Sequence, residues 1–136
     1  MRKPLQISGL LSALLLASGV EAAGLGKLSI QSALGQPLRA EIELVAVQRD
    51  ELGSINARLA SAEAFRQARM DRAEALNGLR FEVEQRPNGQ PVIKITSAAP
   101  VNDPFLDVLI ELNWSTGRLI REYTLLLDPP SDVRPR

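Results

Sequence analysis

Phe81-Glu82-Val83-Glu84-Gln85-Arg86-Pro87-Asn88-Gly89-Gln90-Pro91-Val92-Ile93-Lys94-Ile95 is two alternating runs joined by a turn signal. Pro87 and Gly89 fall at the second and fourth positions of Arg86-Pro87-Asn88-Gly89. That order fits a type I turn followed by a left-handed glycine, the usual three-residue hairpin loop. A loop of Pro87 to Gly89 sets Val83 opposite Ile93, Phe81 opposite Ile95 and Glu82 opposite Lys94. Apolar side chains then meet apolar ones, and opposite charges meet. A two-residue Asn88-Gly89 loop would put Val83 against Lys94 and Glu82 against Ile95, mixing the faces. Burial of one face therefore selects the three-residue register.

The same alternation extends on both sides of this hairpin. Leu28 and Ile30 alternate with Ser29 and Gln31. After the Gly35-Gln36-Pro37 break, Leu38, Ala40, Ile42 and Leu44 face one way, and Arg39, Glu41 and Glu43 the other. This is a strand buried on one side. From Asp50 the period changes: Leu52, Ile55 and Leu59 stand at helical spacing behind an Asp cap, and Ser61 caps a second short helix carrying Phe65 and Ala68. Gly53 weakens the first helix, and Asn77-Gly78 closes the segment. Near the C-terminus, a three-residue loop Ser115-Thr116-Gly117 pairs Leu112 with Ile120 and Glu111 with Arg121. The favourable charge pair selects that register, although it leaves Glu122 on the face of Ile110. Pro129-Pro130 ends the final strand, and residues 131–136 read as a tail or the start of a linker. Five or more strands in antiparallel hairpins, without β-α-β alternation, predict a mainly β protein. The expected fold is a small immunoglobulin-like antiparallel β-sandwich with a short helical insert. Trp114 is a candidate core aromatic, and the Tyr123 hydroxyl is expected to reach a polar partner.

The N-terminus addresses the chain. Arg2 and Lys3 precede an apolar stretch from Leu10 to Leu16, and Val20-Glu21-Ala22 offers small residues before a cut. That order is a bacterial secretory signal peptide over residues 1–22, cut near Ala22/Ala23. The apolar stretch is short of the roughly 20 residues a membrane helix needs, so no transmembrane segment is expected after cleavage. No Cys stands at the cut to take a lipid. Of 16 basic and 16 acidic residues, removal of Arg2, Lys3 and Glu21 leaves 14 and 15. A balance so close to zero argues against a nucleic-acid partner, whose binding rests on phosphate neutralisation. Residues 23–130 suit one domain with one core, held by burial alone because the chain has no Cys.

With neither His nor Cys, the chain offers no Ser-His-Asp or Cys-His nucleophile pair and no zinc site of nitrogen and sulfur ligands. Catalytic, cofactor-binding and metal residues are accordingly all read as none. Glu41 with Glu43 and Glu82 with Glu84 leave a sugar-cleaving carboxylate pair formally open. In a strand, however, that spacing simply places both side chains on one polar face. Arg66, Arg69 and Arg72 form a basic run interrupted by Asp71 and Glu74, the mixture of an exposed helix face.

Several stretches carry a resemblance, in order along the chain. They are Ala23-Gly24-Leu25-Gly26-Lys27-Leu28, Ser32 to Ile42, Pro91-Val92-Ile93, Pro100-Val101-Asn102, Pro104-Phe105-Leu106, Glu111-Leu112-Asn113-Trp114, Gly117 to Thr124, and Leu127-Asp128-Pro129-Pro130. Over about Ala23 to Pro130 the chain resembles the N-terminal periplasmic domain of the FimV/HubP family. The resemblance implies a scaffold: such proteins are inner-membrane landmarks that assist type IV pilus assembly, twitching motility and cell-pole organisation. In them the domain precedes a peptidoglycan-binding LysM module, a transmembrane helix and a long acidic cytoplasmic region. The resemblance itself stops at Pro129-Pro130, so wall binding and cytoplasmic recruitment are not carried over to these residues.

The expected function is a non-catalytic periplasmic protein-interaction module linked to pilus assembly, motility or cell-pole organisation. The alternative is a stand-alone chaperone-like or cell-wall-associated adaptor domain. Expected partners are other pilus-assembly or cell-envelope proteins, with indirect peptidoglycan association. Candidate contacts are Arg39, Glu41 and Glu43 on one strand face, with Arg118 and Arg121 on the final hairpin.

Overall fold

The computed structural model describes residues 24–130. The expected signal peptide and tail lie outside them. Seven strands form two antiparallel sheets: β1 (Gly24–Ile30), β2 (Pro37–Val45), β3 (Asn56–Leu59), β4 (Leu79–Gln85), β5 (Pro91–Pro100), β6 (Phe105–Trp114) and β7 (Gly117–Leu126). One sheet has the order β1-β2-β5-β4, the other β3-β6-β7. Four and three strands in this order are the arrangement of a constant-type immunoglobulin domain. The expected sandwich is the observed fold.

The core lies where the alternating faces meet. Leu38, Ala40, Ile42 and Leu44 of β2 are buried together with Ile93 and Ile95 of β5, against Val108, Ile110 and Leu112 of β6 and Leu125 of β7. Phe65 and Leu76, from the crossover between β3 and β4, are each 1% exposed and complete the cluster. Phe65 sits on the short helix α1 (Ala62–Gln67), whose Ser61 cap accepts from the Ala64 amide at 3.1 Å. At roughly 1.5–3 kcal/mol for each buried large aliphatic side chain, burial of this kind replaces the disulfide of secreted relatives of the fold.

The β4–β5 hairpin has the expected register, with Val83 opposite Ile93, Phe81 opposite Ile95 and Glu82 opposite Lys94. The Gly89 amide donates to the Arg86 carbonyl at 2.8 Å, closing the turn, and Gly89 takes a φ of 92°.

Three expectations are corrected. The helix expected from Asp50 is a six-residue 3-10 segment, Arg49–Ser54, and Ile55 leads directly into β3. Ile55, Ala57 and Leu59 also stand two apart, and pairing of Ala57 with Leu112 and Leu59 with Ile110 makes the strand alternation win over the helical spacing. The last hairpin has a two-residue turn, Ser115-Thr116, so Leu112 faces Leu119, and Glu111 faces Ile120 and not Arg121. Inward residues then match along the whole pair: Val108 lies opposite Tyr123 and Leu106 opposite Leu125, while Glu122 moves to the outer face beside Leu109. Burial over ten paired positions outweighs one cross-strand charge pair worth about 0.2–1 kcal/mol. Finally, Arg66, Arg69 and Arg72 share no helix, because α1 stops at Gln67 and Arg69 turns left-handed with φ of 59°.

Candidate interaction faces

Arg39, Glu41 and Glu43 project from the outer face of the four-stranded sheet, as their alternation with the buried residues of β2 requires. The sheet order brings β4 and β5 to the same face. Arg86, at the foot of the β4–β5 hairpin, reaches across it: its Nε and Nη2 donate to Glu41 Oε1 at 3.1 and 2.9 Å. Its Nη1 stands 3.7 Å from Glu43 Oε2. Lys94 lies opposite Glu82 in register, yet its ammonium pairs diagonally with Glu84 at 3.8 Å. The two Glu pairs therefore belong to one ladder of alternating charge on a polar face. Arg39 stands at the end of that ladder, donating from Nη2 to the Gln31 carbonyl at 3.4 Å. It lines an open cleft of about 430 Å³ with Ser32, Gln36, Pro37, Thr96 and Ser97.

Arg118 and Arg121 do not join that face, nor each other. Arg118 pairs with Asn113 on the outer face of the three-stranded sheet. Arg121 lies opposite buried Ile110 on the inner face, where its Nη1 donates to the Leu25 carbonyl at 2.5 Å. Its guanidinium stacks 4.9 Å from the centre of the Tyr123 ring. The Tyr123 hydroxyl donates to the Gly26 carbonyl at 2.7 Å, the polar partner expected of it. Burial raises the Tyr123 hydroxyl above its ordinary pKa, and the Arg121 charge opposes that shift. Both side chains thus fasten β7 to the bulged edge of β1.

Two side-chain contacts were not visible in the sequence. Arg86 read as a turn residue, because nothing local announces that β2 and β4 flank the same strand. Glu111 was expected to pair with Arg121, but it is 5% exposed and has other partners. The Asn113 amide donates to it at 2.8 Å and the Arg58 guanidinium at 2.9 Å. The Asn113 bond is the largest cause holding its carboxyl below the ordinary range; burial opposes it, while the bond and charge of Arg58 and the charge of Arg118 add to it. Trp114 is only half-buried and lies over Gly117, where an added Cβ would come within 2.8 Å of its ring. Among the described residues no group of three or more potential metal ligands is found, and no helix is long and apolar enough to cross a membrane.

A family model described as the FimV N-terminal domain, an immunoglobulin-like domain, matches residues 23–130. The chain belongs to the FimV N-terminal domain family. Two curated relatives, both named motility hub protein FimV, come from Pseudomonas aeruginosa strains PAO1 and UCBPP-PA14. Each is 49% identical over 107 residues, which is 79% of this chain and 12% of the relative. The chain thus spans about one eighth of the length of these FimV proteins. No solved structure matches it. The family match and the seven-strand topology agree on an immunoglobulin-like sandwich.

Proposed function

We propose that this FimV N-terminal domain is a non-catalytic protein-interaction module of the periplasm, exported by cleavage near Ala22/Ala23. Its role is to support pilus assembly, motility or cell-pole organisation. The observation that carries the reading is the match of residues 23–130 to the FimV N-terminal domain, together with 49% identity to proteins named motility hubs. The charge ladder of β2, β4 and β5 is consistent with it. Glu41 and Glu43 are engaged by Arg86, an arrangement suited to an interaction surface and not to a pair of glycan-cleaving acids. Arg39, exposed beside a cleft at the end of the ladder, is the residue we assign to partner contact. Residues 1–22 serve export, and residues 131–136 are a tail or the start of a linker.

Crosslinking in the periplasm followed by affinity capture tests the reading. The expected products are complexes with pilus-assembly or other cell-envelope proteins. Release of fragments from purified peptidoglycan, or an N-terminal sequence retaining Met1 on cytoplasmic material, would refute it.

A further inference from the structure

We propose that the outer face of the three-stranded sheet is a self-complementary surface that binds a second copy of this chain. The two copies are turned so that the basic end of one face meets the acidic end of the other. Phe105 and Leu126 are directly opposed on β6 and β7, and both point to solvent, 66% and 62% exposed. Next to them the face is acidic. Asp107 and Glu122 stand on β6 and β7, and Asp71, Asp103 and Arg69 rim the same cleft, which holds about 570 Å³, so four carboxylates face one guanidinium there. Asp107 accepts from the Thr124 hydroxyl at 2.7 Å. Among the described residues no ion pair engages any of these four carboxylates.

The opposite end of the same face carries its net positive charge on Arg118. Arg118 lies beside Asn113, and Arg58 extends from β3 over Glu111, whose charge it neutralises. The half-buried Ile120 lies between the two ends. A face of one sign would fit a foreign partner of the other sign. A face with both signs at its two ends fits its own copy: a two-fold axis across the strands brings each end onto the other. The same operation gives each exposed Phe105–Leu126 pair a covering surface.

Two ten-residue strands and the four-residue β3, at about 3.4 Å per residue and about 4.8 Å apart, give a face of roughly 400 Å². That is below the roughly 800 Å² per partner of a standard stable interface, so association is concentration-dependent, and screening by salt weakens it. The inference goes beyond the proposed function and stands or falls without it.

Sedimentation velocity of the purified full chain, over a wide concentration range at low and high ionic strength, measures the pairing directly. A monomer–dimer equilibrium weakened by salt is expected. Arg118→Glu and Asp107→Lys should each weaken the dimer by about tenfold, while the double variant, which restores opposite charges at this one pair of facing positions, recovers it. Phe105→Ser should weaken it as well. Arg80→Glu, on the outer face of the other sheet, should leave it unchanged, and melting temperatures verify that each variant is folded. A chain that stays monomeric at low salt overturns the proposal. So does a dimer insensitive to both single reversals, or one that the double variant fails to recover. Crosslinks from Phe105 to a foreign envelope protein, with none between copies, would assign the face to that protein instead.

Discussion

The Tyr123 hydroxyl on β7 donates to the carbonyl of Gly26 on β1 at 2.7 Å, bridging the edges of the two sheets where β1 bulges between Leu25 and Leu28. A bulge leaves ladder groups unpaired. Here two neighbouring carbonyls, Leu25 and Gly26, each accept from a β7 side chain. An edge that would otherwise offer itself to another strand is thereby engaged.

Tyr123→Phe removes one of those donors and little else. A loss of about 0.5–1.5 kcal/mol is expected from chemical denaturation. The pH dependence carries a second signature. Because the folded-state pKa is raised above the unfolded value, the contribution is fully present below about pH 10 and is lost as pH rises toward the folded value. Unfolding free energy of the parent should fall over that alkaline window more steeply than that of Tyr123→Phe. Parallel alkaline profiles would remove the burial argument.

Glu111 gives the opposite sign at the other end of the scale. Its carboxyl is held low by Asn113 and then by Arg58, so its contribution is present above the unfolded value, about 4.3, and is lost as pH falls through the folded one. Glu111→Gln should cost about 1–3 kcal/mol at neutral pH, since it replaces charge-assisted bonds in a buried position. It should also flatten the decline in melting temperature below about pH 4. An acid profile unchanged by the substitution would show that other carboxylates set it.

What the sequence revealed, and what it hid, follows from the range of the forces involved. The β4–β5 register was legible because a turn motif and a period-2 pattern lie within fifteen residues and agree. The family resemblance and the sandwich were legible too. β3 was hidden because Ile55, Ala57 and Leu59 satisfy two periods at once, and only β6, some fifty residues later, decides between them. The β6–β7 register went astray by weighing one charge pair above the inward match of Val108 with Tyr123 and Leu106 with Leu125. Of the candidate contacts, Arg39, Glu41 and Glu43 share a face because alternation fixes it. Arg118 and Arg121 are an odd number of residues apart on one strand, and so could not share one.

The β4–β5 hairpin turn and the 3-10 segment can be separated by glycine substitutions. Gly89 has φ of 92°, so Gly89→Val should destabilise the domain by roughly 1 kcal/mol or more. Gly53 lies in the 3-10 segment with nothing within 4 Å of an added Cβ, and Gly53→Ala should be neutral or stabilising. Equal shifts in thermal melts would contradict the turn geometry.

Gly117 is constrained by a neighbour rather than by its backbone. A Cβ there would meet the Trp114 ring at 2.8 Å, so Gly117→Ala should cost about 1–3 kcal/mol through overpacking. In a Trp114→Ala background the same change should cost much less. A double-mutant cycle that showed simple additivity would mean the ring does not lie over this glycine.

Partner capture is best tested at Arg39, and the structure explains why Arg121 is the wrong probe. Arg121 bonds the Leu25 carbonyl and stacks on Tyr123, so its reversal would loosen the junction of the sheets and confuse stability with recognition. Arg39 is exposed and its side chain makes one long bond, to the Gln31 carbonyl, so Arg39→Glu should leave the melting temperature nearly unchanged. It should nevertheless reduce the yield of crosslinked envelope partners, because the reversed charge opposes whatever the cleft beside it receives. Leu112→Ala supplies the contrast: Leu112 is fully buried, and its truncation should cost about 2–5 kcal/mol and lose capture through unfolding. Full capture by a folded Arg39→Glu variant would move recognition off this face and onto the strand edges or the outer face of the other sheet.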